Sequence, residues 1–378
     1  MKKNKNILIF TGYFLPHLGG IERYIDNFMK QAVKLGYNPV LITSNHKDLK
    51  EKEIINGVTI YRIPIYNIFK ERYPIPKKNK IFKNIIKELD NYKFEAIIVN
   101  TRFHLTSHIG AKYGKKHNIP VYLIEHGSNF VTLDNKFIDF FANNYERFLT
   151  WKIKSKIKGF YGVSKACNEW LKKIKINASG VWYNSIEYNQ PVPKKVKNKD
   201  ITFIYAGRLI KQKGVLNILN AFTKLEKKYK NIHLYIAGNG PEYNDYVNNY
   251  KSKNIEFLGR LDFQPLLKYY AKSDVLLYPP LWPEGLPTSI LEAGLMECCV
   301  IVTNQGGICE VVNDNNGIIV KETEESLYNA MEKLIIDSKL KEKLAKQLKE
   351  DIKNKFSWEV TAKKILKDIN IYDEKGNN

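Results

Sequence analysis

The sequence predicts an α/β protein built from two doubly wound domains, each with a mostly parallel sheet. The chain has 378 residues, which is more than one hydrophobic core normally organises. Short apolar runs alternate with helical stretches in the first half, and the same alternation restarts after residue 200. Uninterrupted apolar runs are typical of parallel strands, whose two faces are both covered. We therefore expect two such domains facing each other across a cleft.

The first half of the chain predicts five strands and one long helix. The segment GIERYIDNFMKQAVKLG predicts a helix that ends at Gly36, because glycine readily terminates helices. The predicted strands are NILIFTGYF (6–14), NPVLITSN (38–45), FEAIIVN (94–100), PVYLIEH (120–126) and KGFYGVS (158–164).

The second half follows a polar, proline-containing segment at residues 189–200, which we interpret as a linker. Its strands and helices are predicted within ITFIYAGRL (201–209), GVLNILNAFTKLEKKY (214–229), IHLYIAGNG (232–240), IEFLGR (255–260), LLKYYAKSDVLLYPP (266–280), SILEAGLMECC (289–299) and VIVTNQGG (300–307). The tail from about 338 to 370 is rich in Lys, Leu and Glu and is predicted to be helical. The domains are expected at residues 1–188 and 189–355.

The net charge of +22 is unevenly distributed along the chain. Residues 1–189 hold 32 Lys and Arg against 15 Asp and Glu, a net +17, whereas residues 190–378 hold 29 against 24, a net +5. Such an excess favours an anionic partner, although a lysine-rich coding bias explains the total equally well. Only seven of the 61 basic residues are arginine, the usual reader of bases, which disfavours sequence-specific nucleic-acid binding.

The sequence predicts no membrane span, signal peptide or disulfide framework. No apolar run approaches the roughly 18 residues of a spanning helix. The apolar run at residues 7–10 is shorter than the roughly 7–15 residues of a signal-peptide core. The four cysteines contain no C-x-x-C pair. These features predict a cytoplasmic protein.

The stretch YPPLWPEGLPTSILEAG, residues 278–294, places two carboxylates close together. Glu284 follows a predicted strand, and Glu292 falls about one turn into the helix that Pro287 is placed to open. Ligands of open parallel sheets bind beyond the carboxyl ends of the strands, and a helix N-terminus favours a phosphate. With no cation between them in the sequence, the carboxylates are expected to accept hydrogen bonds from sugar or ribose hydroxyls. Alternatively, Glu292 is simply a solvated helix residue.

Basic and glycine-rich loops follow other predicted strands. Arg208 and Lys213 lie in AGRLIKQKG, where two fixed cations suit a diphosphate that gains charge when its ester bond breaks. The turn AGNGPEY contains Gly238 but lacks a complete G-x-G-x-x-G. Gly19 and Gly20 precede the first helix, where backbone amides can approach a ligand. Each of these patterns also occurs in ordinary loops.

Three histidines are candidates for contact with a substrate. His126, just past a predicted strand and before Gly127, can hydrogen-bond a substrate hydroxyl or shuttle a proton, or it can be structural. His104 and His108 are spaced i, i+4 without the glutamate of an H-E-x-x-H motif. We therefore expect them on a helix face near the acceptor rather than at a metal.

Together these residues resemble the retaining glycosyltransferases of family 4, which have the GT-B fold of two Rossmann-like domains. The mark of that family is Glu, seven residues and Glu, which matches Glu284 and Glu292 within EGLPTSILEAG. The other matching motifs are GGIERY (19–24), HG (126–127), GVSKA (162–166), AGRL with KG (206–214) and FSWEVTAKKIL (356–366). They span almost the whole chain in the order of the family.

The resemblance implies a role for each matched residue. Glu284 would contact hydroxyls of the donor sugar, and Glu292 would bind the ribose of the nucleotide. Arg208 and Lys213 would hold the diphosphate, and His126 would touch the donor sugar, so that Glu284, His126, Arg208 and Lys213 are the expected catalytic residues. The remaining expected donor-binding residues are Gly20, Gly238, Gly259, Arg260, Leu261, Gly285, Leu286, Pro287 and Thr288.

The resemblance also implies retaining transfer of a hexose from a nucleotide sugar, with UDP as the expected carrier and no cofactor or divalent metal. The absence of a D-x-D cluster agrees with this, because the cations at 208 and 213 would supply the electrostatic stabilisation. The last segment, 356–378, would cross back to the first domain. One departure is WYNSIEYN (182–189), which leaves Asn184 and Glu187 without an assigned role.

The acceptor is expected to be lipid-linked and to lie near His104 and His108. The segment PIPKKNKIFKNIIKELD (74–90) predicts a basic amphipathic helix with the apolar face Ile81, Phe82, Ile85, Ile86 and Leu89. Such a helix suits an anionic membrane surface, although an apolar face of this kind also joins the core in ordinary surface helices. We expect an enzyme of surface polysaccharide, lipopolysaccharide or glycoprotein glycan synthesis, cytoplasmic and peripheral at the inner face of the membrane.

Three other functions remain open at this point. The acceptor can be a small soluble sugar, as in sucrose or trehalose synthesis. The chain can be a nucleotide-sugar epimerase, which shares the two-domain form. The excess of lysine leaves a basic nucleic-acid-binding protein as the remote alternative.

Overall fold

The computed structural model describes residues 5–17, 19–66, 73–130 and 136–372, without the side chain of residue 136. It divides the chain into two compact units. Unit 1 comprises Met1–Tyr183 and Trp358–Asn378, and unit 2 comprises Asn184–Ser357. These divisions lie close to, but not at, the expected boundaries after residues 188 and 355. The expected linker at 189–200 therefore lies inside unit 2, where the Val196 N–H donates to the Ala271 carbonyl at 2.9 Å.

The regular elements are numbered in chain order. The strands are β1 (Asn6–Phe10), β2 (Asn38–Asn45), β3 (Lys52–Ile55), β4 (Val58–Tyr66), β5 (Ile75–Pro76), β6 (Phe94–Asn100), β7 (Val121–Glu125), β8 (Gly159–Gly162), β9 (Gly180–Val181), β10 (Ile201–Ala206), β11 (Ile232–Ala237), β12 (Ile255–Gly259), β13 (Val275–Tyr278), β14 (Cys299–Thr303) and β15 (Ile318–Val320). The helices are α1 (Gly20–Lys34), α2 (Lys80–Glu88), α3 (Leu105–His117), α4 (Lys136–Lys154), α5 (Lys165–Lys173), α6 (Val215–Lys228), α7 (Tyr243–Asn249), α8 (Phe263–Lys272), α9 (Thr288–Leu295), α10 (Glu324–Ile336), α11 (Ser338–Lys355) and α12 (Trp358–Asp368).

Unit 1 is built on one sheet with the strand order β3-β4-β2-β1-β6-β7-β8-β9, and β5 pairs with β4. The strands from β4 across to β9 pair in parallel, as the apolar runs predict. The two faces of β1 enter two different cores, because successive side chains of a strand point in opposite directions. Ile7 and Ile9 lie in one core cluster, whereas Leu8 and Phe10 lie in the other.

One edge of this sheet is an antiparallel hairpin that we did not predict. β3 pairs with β4 through a turn at Asn56 and Gly57, whose φ angles are +51° and +80°. Two consecutive residues with positive φ form the hairpin turn whose twist matches that of the strands, and Asn-Gly is its preferred sequence. The dipeptide was the available signal for this hairpin.

The C-terminal helix α12 packs in unit 1, in the same core cluster as α1. The rings of Tyr24 and Trp358 meet edge to face with their centroids 4.8 Å apart. The indole N–H of Trp182 donates to Asp368 Oδ2 at 2.8 Å. Of the expected return segment 356–378, residues 373–378 lie outside the described part of the chain.

The apolar face of α2 belongs to the core of unit 1 and does not form a surface for a membrane. Ile85 and Leu89 are buried in the core cluster beneath the sheet, and Ile81, Phe82 and Ile86 pack against that cluster. Of the two alternatives that the sequence left open for this face, burial in the core is therefore correct and contact with lipid is wrong. A helix beside a sheet gains more by burying its apolar stripe against neighbouring strands than by leaving it in water.

Unit 2 is built on a parallel sheet with the order β12-β11-β10-β13-β14-β15. The strands predicted at 201–209, 232–240, 255–260, 274–280 and 300–307 are all present, each shorter than its segment. The C-terminal tail is helical, as predicted, and forms two helices, α11 and α12. Within the described residues, no helix is both long enough and apolar enough to cross a membrane.

Candidate functional site

Close backbone contacts join the loops that leave β10, β11 and β12 in unit 2. Gly238 has φ +152°, and a Cβ atom there would lie 1.8 Å from the Gly207 carbonyl oxygen. A Cβ atom at Gly240 would lie 2.2 Å from the carbonyl oxygen of Leu209. The Gly238 N–H donates to the Gly259 carbonyl at 2.8 Å. Gly238 is thus required by the packing of one loop on another, and its predicted role in donor binding stays a prediction.

The loop after β10 is also joined to the loop after β13. The Leu281 N–H donates to the Gln212 carbonyl at 2.8 Å. Gly214 has φ +70°, and a Cβ atom there would lie 2.1 Å from the Pro279 carbonyl oxygen. A side chain at position 214 would therefore push the two loops apart. This contact places the neighbouring residue, Lys213, beside the end of β13.

Lys213 and Glu284 form an ion pair within this loop cluster. Lys213 Nζ lies 2.5 Å from Glu284 Oε1 and 3.1 Å from the Tyr278 hydroxyl oxygen. The expectation that the glutamates have no cationic partner is therefore wrong for Glu284. The cation comes from a loop 71 residues earlier in the chain, so that the local sequence around Glu284 did not show it.

The backbone of Glu284 is held by a glycine pair that we did not identify. Glu284 forms a parallel bridge with Gly306, and the Gly307 N–H donates to the Glu284 carbonyl at 2.9 Å. Gly306 has φ +64°, and a Cβ atom there would lie 2.0 Å from the Glu284 carbonyl oxygen. The two glycines of the predicted strand VIVTNQGG were the available signal, because a glycine pair after a strand permits such an approach.

Two stacked tyrosines lie behind the ion pair. The rings of Tyr205 and Tyr278 are nearly parallel, with an interplanar angle of 12° and centroids 6.3 Å apart. Burial, followed by the carboxylates of Glu284 and Glu292, raises the pKa of Tyr278 well above its ordinary value. Its phenol therefore stays neutral and accepts from Lys213. The Tyr205 hydroxyl donates to the Arg208 carbonyl at 2.9 Å, whereas the Arg208 side chain is exposed.

Helix α9 begins at Thr288 with Pro287 at its N-cap, as predicted. Glu292 lies on the fifth residue of α9 and is only 6% exposed, which excludes the alternative that it is a solvated residue. Burial, followed by the charge of Glu292, raises the pKa of Tyr270 well above its ordinary value. The charges of both glutamates thus raise the pKa of the same buried phenol, that of Tyr278.

The loop between Glu284 and α9 is tied to the first residue of unit 2. The Asn184 side-chain amide donates to the Leu286 carbonyl at 3.1 Å. Leu286 is buried, and Gly285 and Thr288 are half-buried. The sequence left Asn184 without a role, and the structure shows that it positions this loop.

The remaining predicted donor-binding residues lie at two separate places. Gly259 has φ +64° with open space around its Cβ position, and it is followed by the exposed Arg260 and the half-buried Leu261. Gly20 is exposed at the start of α1 in unit 1. Glu22 Oε2 accepts from the Gly19 N–H at 2.8 Å, which places a carboxylate of the protein at this helix N-terminus.

His126 in unit 1 is held as a neutral imidazole. Its Nε2 lies 3.1 Å from Asn100 Oδ1, and the Asn100 amide nitrogen donates to the Phe10 carbonyl at 3.0 Å. This second bond fixes the orientation of the Asn100 amide, so that Nε2 carries the proton and Nδ1 is the acceptor. Burial, followed by the nearby His104, lowers the pKa of His126 to about 3. Of its two predicted uses, hydrogen bonding therefore fits better than proton transfer at neutral pH.

His104 and His108 do not share a helix face as expected. His104 is the N-cap residue that precedes α3, and its buried Nδ1 has no hydrogen-bond partner among the described residues. His108 lies in α3, and its Nε2 is 3.2 Å from the Arg102 carbonyl oxygen. Burial lowers the pKa of each imidazole to about 4. Contact with an acceptor stays a prediction for both.

Comparison with known proteins identifies the family. The family model for glycosyl transferases group 1 matches residues 188–351, and that for glycosyltransferase family 4 matches residues 18–190. An uncharacterised glycosyltransferase of Methanocaldococcus jannaschii is 30% identical over 97% of this chain and 98% of its own length. The chain belongs to the family 4 glycosyltransferases. This membership makes it an enzyme and supports the resemblance drawn from Glu284, Glu292 and the accompanying motifs.

Two further proteins resemble this glycosyltransferase over most of their length. The phosphatidylinositol N-acetylglucosaminyltransferase GPI3 subunit of Saccharomyces cerevisiae is 22% identical, over 96% of this chain and 82% of its own. The structure of Anabaena HepE in complex with UDP-glucose has a TM-score of 0.71, with 15% identity over 97% of this chain and 100% of that one. At this identity the structural likeness shows the fold alone, which is GT-B.

Proposed function

We propose that this glycosyltransferase moves a hexose from a UDP-sugar to a lipid-linked glycan acceptor, with retention of the anomeric configuration and without a divalent metal. The product would be a surface polysaccharide, a lipopolysaccharide or a glycoprotein glycan. The observation that carries the proposal is the ion pair of Lys213 and Glu284 beside the N-terminus of α9. A cation, a carboxylate and free helix N–H groups then lie together, as the diphosphate and the hydroxyls of a nucleotide sugar require.

Binding of the donor would exchange the partners of this ion pair. The diphosphate of a nucleotide sugar offers Lys213 more negative charge than one carboxylate does. Glu284, released from Lys213, would then accept hydrogen bonds from hydroxyls of the donor sugar. Arg208 is exposed and would supply the second cation for the diphosphate. Glu292 would accept from the ribose hydroxyls.

The transfer step would break the bond between the anomeric carbon and the diphosphate oxygen, with the electron pair leaving on the diphosphate. The acceptor oxygen would bond to the same face of the anomeric carbon, and its proton would pass to the departing phosphate oxygen. Lys213, Arg208 and the N–H groups of α9 would stabilise the charge that develops there, which is the electrostatic work a metal ion does elsewhere. His126, neutral with a free acceptor nitrogen, would hold a sugar hydroxyl.

The proposed acceptor rests on the relatives and on charge. The yeast relative is named for transfer to phosphatidylinositol, a membrane lipid. The net charge of +17 in residues 1–189 favours approach to an anionic surface. We therefore place the enzyme in the cytoplasm, peripherally bound at the inner face of the membrane.

A thermal-shift panel of nucleoside diphosphates and their sugars tests the donor, because a ligand that binds only the folded state raises Tm. UDP and one or more UDP-sugars are expected to raise Tm, in the presence of EDTA as well as without it. Glu284→Ala should abolish transfer of the sugar, whereas Glu297→Ala is the matched control. Glu297 pairs with Lys349 at 2.7 Å in the same unit but outside the loop cluster.

Two further readouts test the chemistry and the acceptor. Proton NMR of the product should show the anomeric configuration of the donor, and inversion would overturn the proposed stereochemistry. When a lipid extract and water-soluble sugars are offered together as acceptors, the enzyme should transfer the sugar to the lipid extract. Transfer to a sugar phosphate alone, or formation of an epimer of the donor without acceptor, would contradict the proposal.

A further inference from the structure

Helix α4 presents an aromatic face to solvent. Six of its rings are exposed over about half or more of their surface: Phe137 at 73%, Phe140 at 63%, Phe141 at 57%, Tyr145 at 46%, Phe148 at 51% and Trp151 at 74%. The rings form connected groups, with centroids 5.5 Å apart for Phe140 and Phe141 and 6.1 Å apart for Phe148 and Trp151. Scattered exposed apolar residues are normal in soluble proteins, whereas a connected apolar patch indicates a binding surface.

The exposed rings recur with the period of the helix. Positions 141, 148 and 151 are seven and three residues apart, and positions 140 and 151 are eleven apart, which places them on one side of an α-helix. The opposite side, with Glu146, Leu149, Thr150 and Ile153, is buried. The exposed aromatic residues thus lie on the side of α4 that faces away from the core of unit 1.

A buried ion pair fixes this orientation. Arg102 is 1% exposed and donates to Glu146 Oε2 at 2.6 Å and to Glu125 Oε2 at 2.8 Å. Rotating α4 to bury its aromatic rings would expose Glu146 and leave the Arg102 guanidinium without one of its two carboxylates. An unpaired buried charge is strongly unfavourable, so that the fold holds the aromatic face outward.

Cations border the aromatic face and continue past the end of α4. Arg147, Lys152, Lys154 and Lys158 are exposed. Residues 136–158 contain six Lys and Arg and two Asp and Glu, a net +4, and one of the two acids is the buried Glu146. Lys152 Nζ lies 5.7 Å from the centroid of the Phe148 ring, so that charge and ring share one surface.

We propose that the aromatic face of α4 binds the surface of an anionic lipid bilayer. The helix would lie in the plane of the headgroups, with its phenylalanines and Trp151 entering the boundary with the acyl chains and its lysines contacting lipid phosphates. Aromatic rings with a tryptophan prefer this interface, and lysine next to it adds attraction to acidic lipids. This inference deepens the proposed function, because it names the surface by which the enzyme reaches a lipid-linked acceptor.

The bordering charge favours a bilayer over a second copy of this chain. A symmetric contact between two α4 helices would bring the lysines of one copy against those of the other, which is unfavourable. An anionic bilayer instead neutralises every one of these cations. A protein partner with an acidic rim is the competing occupant of this face, and the vesicle experiment below distinguishes it from a bilayer.

Co-sedimentation of the full chain with vesicles tests the proposal. Vesicles of phosphatidylcholine and phosphatidylglycerol in equal parts are compared with phosphatidylcholine alone, at low salt. Binding to the anionic vesicles is expected, and Phe140→Ser with Trp151→Ser should weaken it about tenfold or more. The matched control replaces two equally exposed apolar residues elsewhere, Ile54→Ser with Ile336→Ser, at 71% and 70% exposure, and should bind as the unaltered chain does.

The charge contribution has its own matched pair of variants. Lys152→Gln with Lys154→Gln should weaken binding by about fivefold for each lysine, whereas Lys115→Gln with Lys116→Gln, at the end of α3 in the same unit, should have little effect. The Trp151 contribution to fluorescence, taken as the difference from Trp151→Phe, should shift to shorter wavelength on anionic vesicles.

Three results would overturn the proposal. They are failure of the chain to bind anionic vesicles, equal loss of binding in the α4 and control variants, and a dimer in solution that the α4 variants dissociate while vesicle binding is absent. The Tm shift with UDP is measured on the same variants without vesicles. If UDP does not raise the Tm of the unaltered chain, the proposed function is contradicted, whereas the result on vesicle binding is unaffected.

Discussion

Lys213 and Glu284 approach to 2.5 Å between Nζ and Oε1, although they belong to loops that leave different strands of unit 2. Each is only partly exposed, at 17% and 21% of its side chain, so that the pair is shielded but reachable by a ligand. In this state the two groups that the proposed function assigns to the donor neutralise one another. The pair therefore holds both side chains in place, and binding of the proposed donor would have to separate them.

Replacing Glu284 should separate binding of the diphosphate from transfer. Glu284→Gln is expected to lower the rate of transfer by roughly 10²-fold or more, because a contact to the reacting sugar is lost. The affinity for UDP alone should rise severalfold, because Lys213 loses the carboxylate that neutralises it. Isothermal titration with UDP and a transfer assay measure the two effects. A fall in UDP affinity would show that Glu284 does not compete for Lys213.

Gly306 should be required for the position of Glu284. Gly306→Ala is expected to destabilise the protein by about 1–3 kcal/mol and to impair transfer, because the added Cβ meets the Glu284 carbonyl at 2.0 Å. The control is Gly36→Ala, which has φ +80° with nothing within 4 Å of its Cβ position. This control variant also places an alanine at a positive φ angle, but its Cβ atom collides with no other group. Equal loss of transfer in both variants would argue against a role for the glycine contact.

Removing a carboxylate partner of the buried Arg102 should greatly destabilise unit 1. Glu146→Gln is expected to lower the free energy of unfolding by about 3–5 kcal/mol, because it leaves part of the buried guanidinium charge uncompensated. Glu88→Gln removes a half-exposed carboxylate that pairs with Lys52 at 2.8 Å, and should cost less than about 1 kcal/mol. Urea denaturation compares the two variants. Similar losses would mean that burial does not set the cost.

Acid should destabilise the protein through its buried histidines. The folded pKa of His104 and of His108 is lowered to about 4, and that of His126 to about 3, whereas the unfolded value is about 6.5. Below pH 6.5 the unfolded state therefore binds more protons than the folded state, and stability falls as the pH drops toward 4.

The His104→Asn variant isolates one of these groups. It places a preferred N-cap residue before α3 and removes a titrating side chain. The loss of unfolding free energy between pH 7 and pH 5 should be smaller in this variant by on the order of 1–2 kcal/mol. Urea denaturation at both pH values gives the difference, and an unchanged difference would show that His104 does not titrate on unfolding.

The local sequence determined the elements on which the site is built. The uninterrupted apolar runs predicted the parallel strands of both units, because buried strands need apolar residues on both faces. Pro287 predicted a helix starting near Thr288 or Ser289, and α9 begins at Thr288. The spacing of Glu284 and Glu292 and the order of the other motifs were sufficient for the family, since these residues are read from the chain alone.

The tertiary structure decided which side chains meet and which face of a helix is covered. Lys213 reaches Glu284 because β10 and β13 are neighbours in the sheet, and Gly306 supports Glu284 because β14 follows β13 in that order. Periodicity showed an apolar face on α2, but only packing showed that the core uses it, while the ion pair of Arg102 and Glu146 turns the aromatic face of α4 outward. The physical reason is that hydrophobic periodicity records which residues share a face, whereas burial depends on the neighbours that the whole fold supplies.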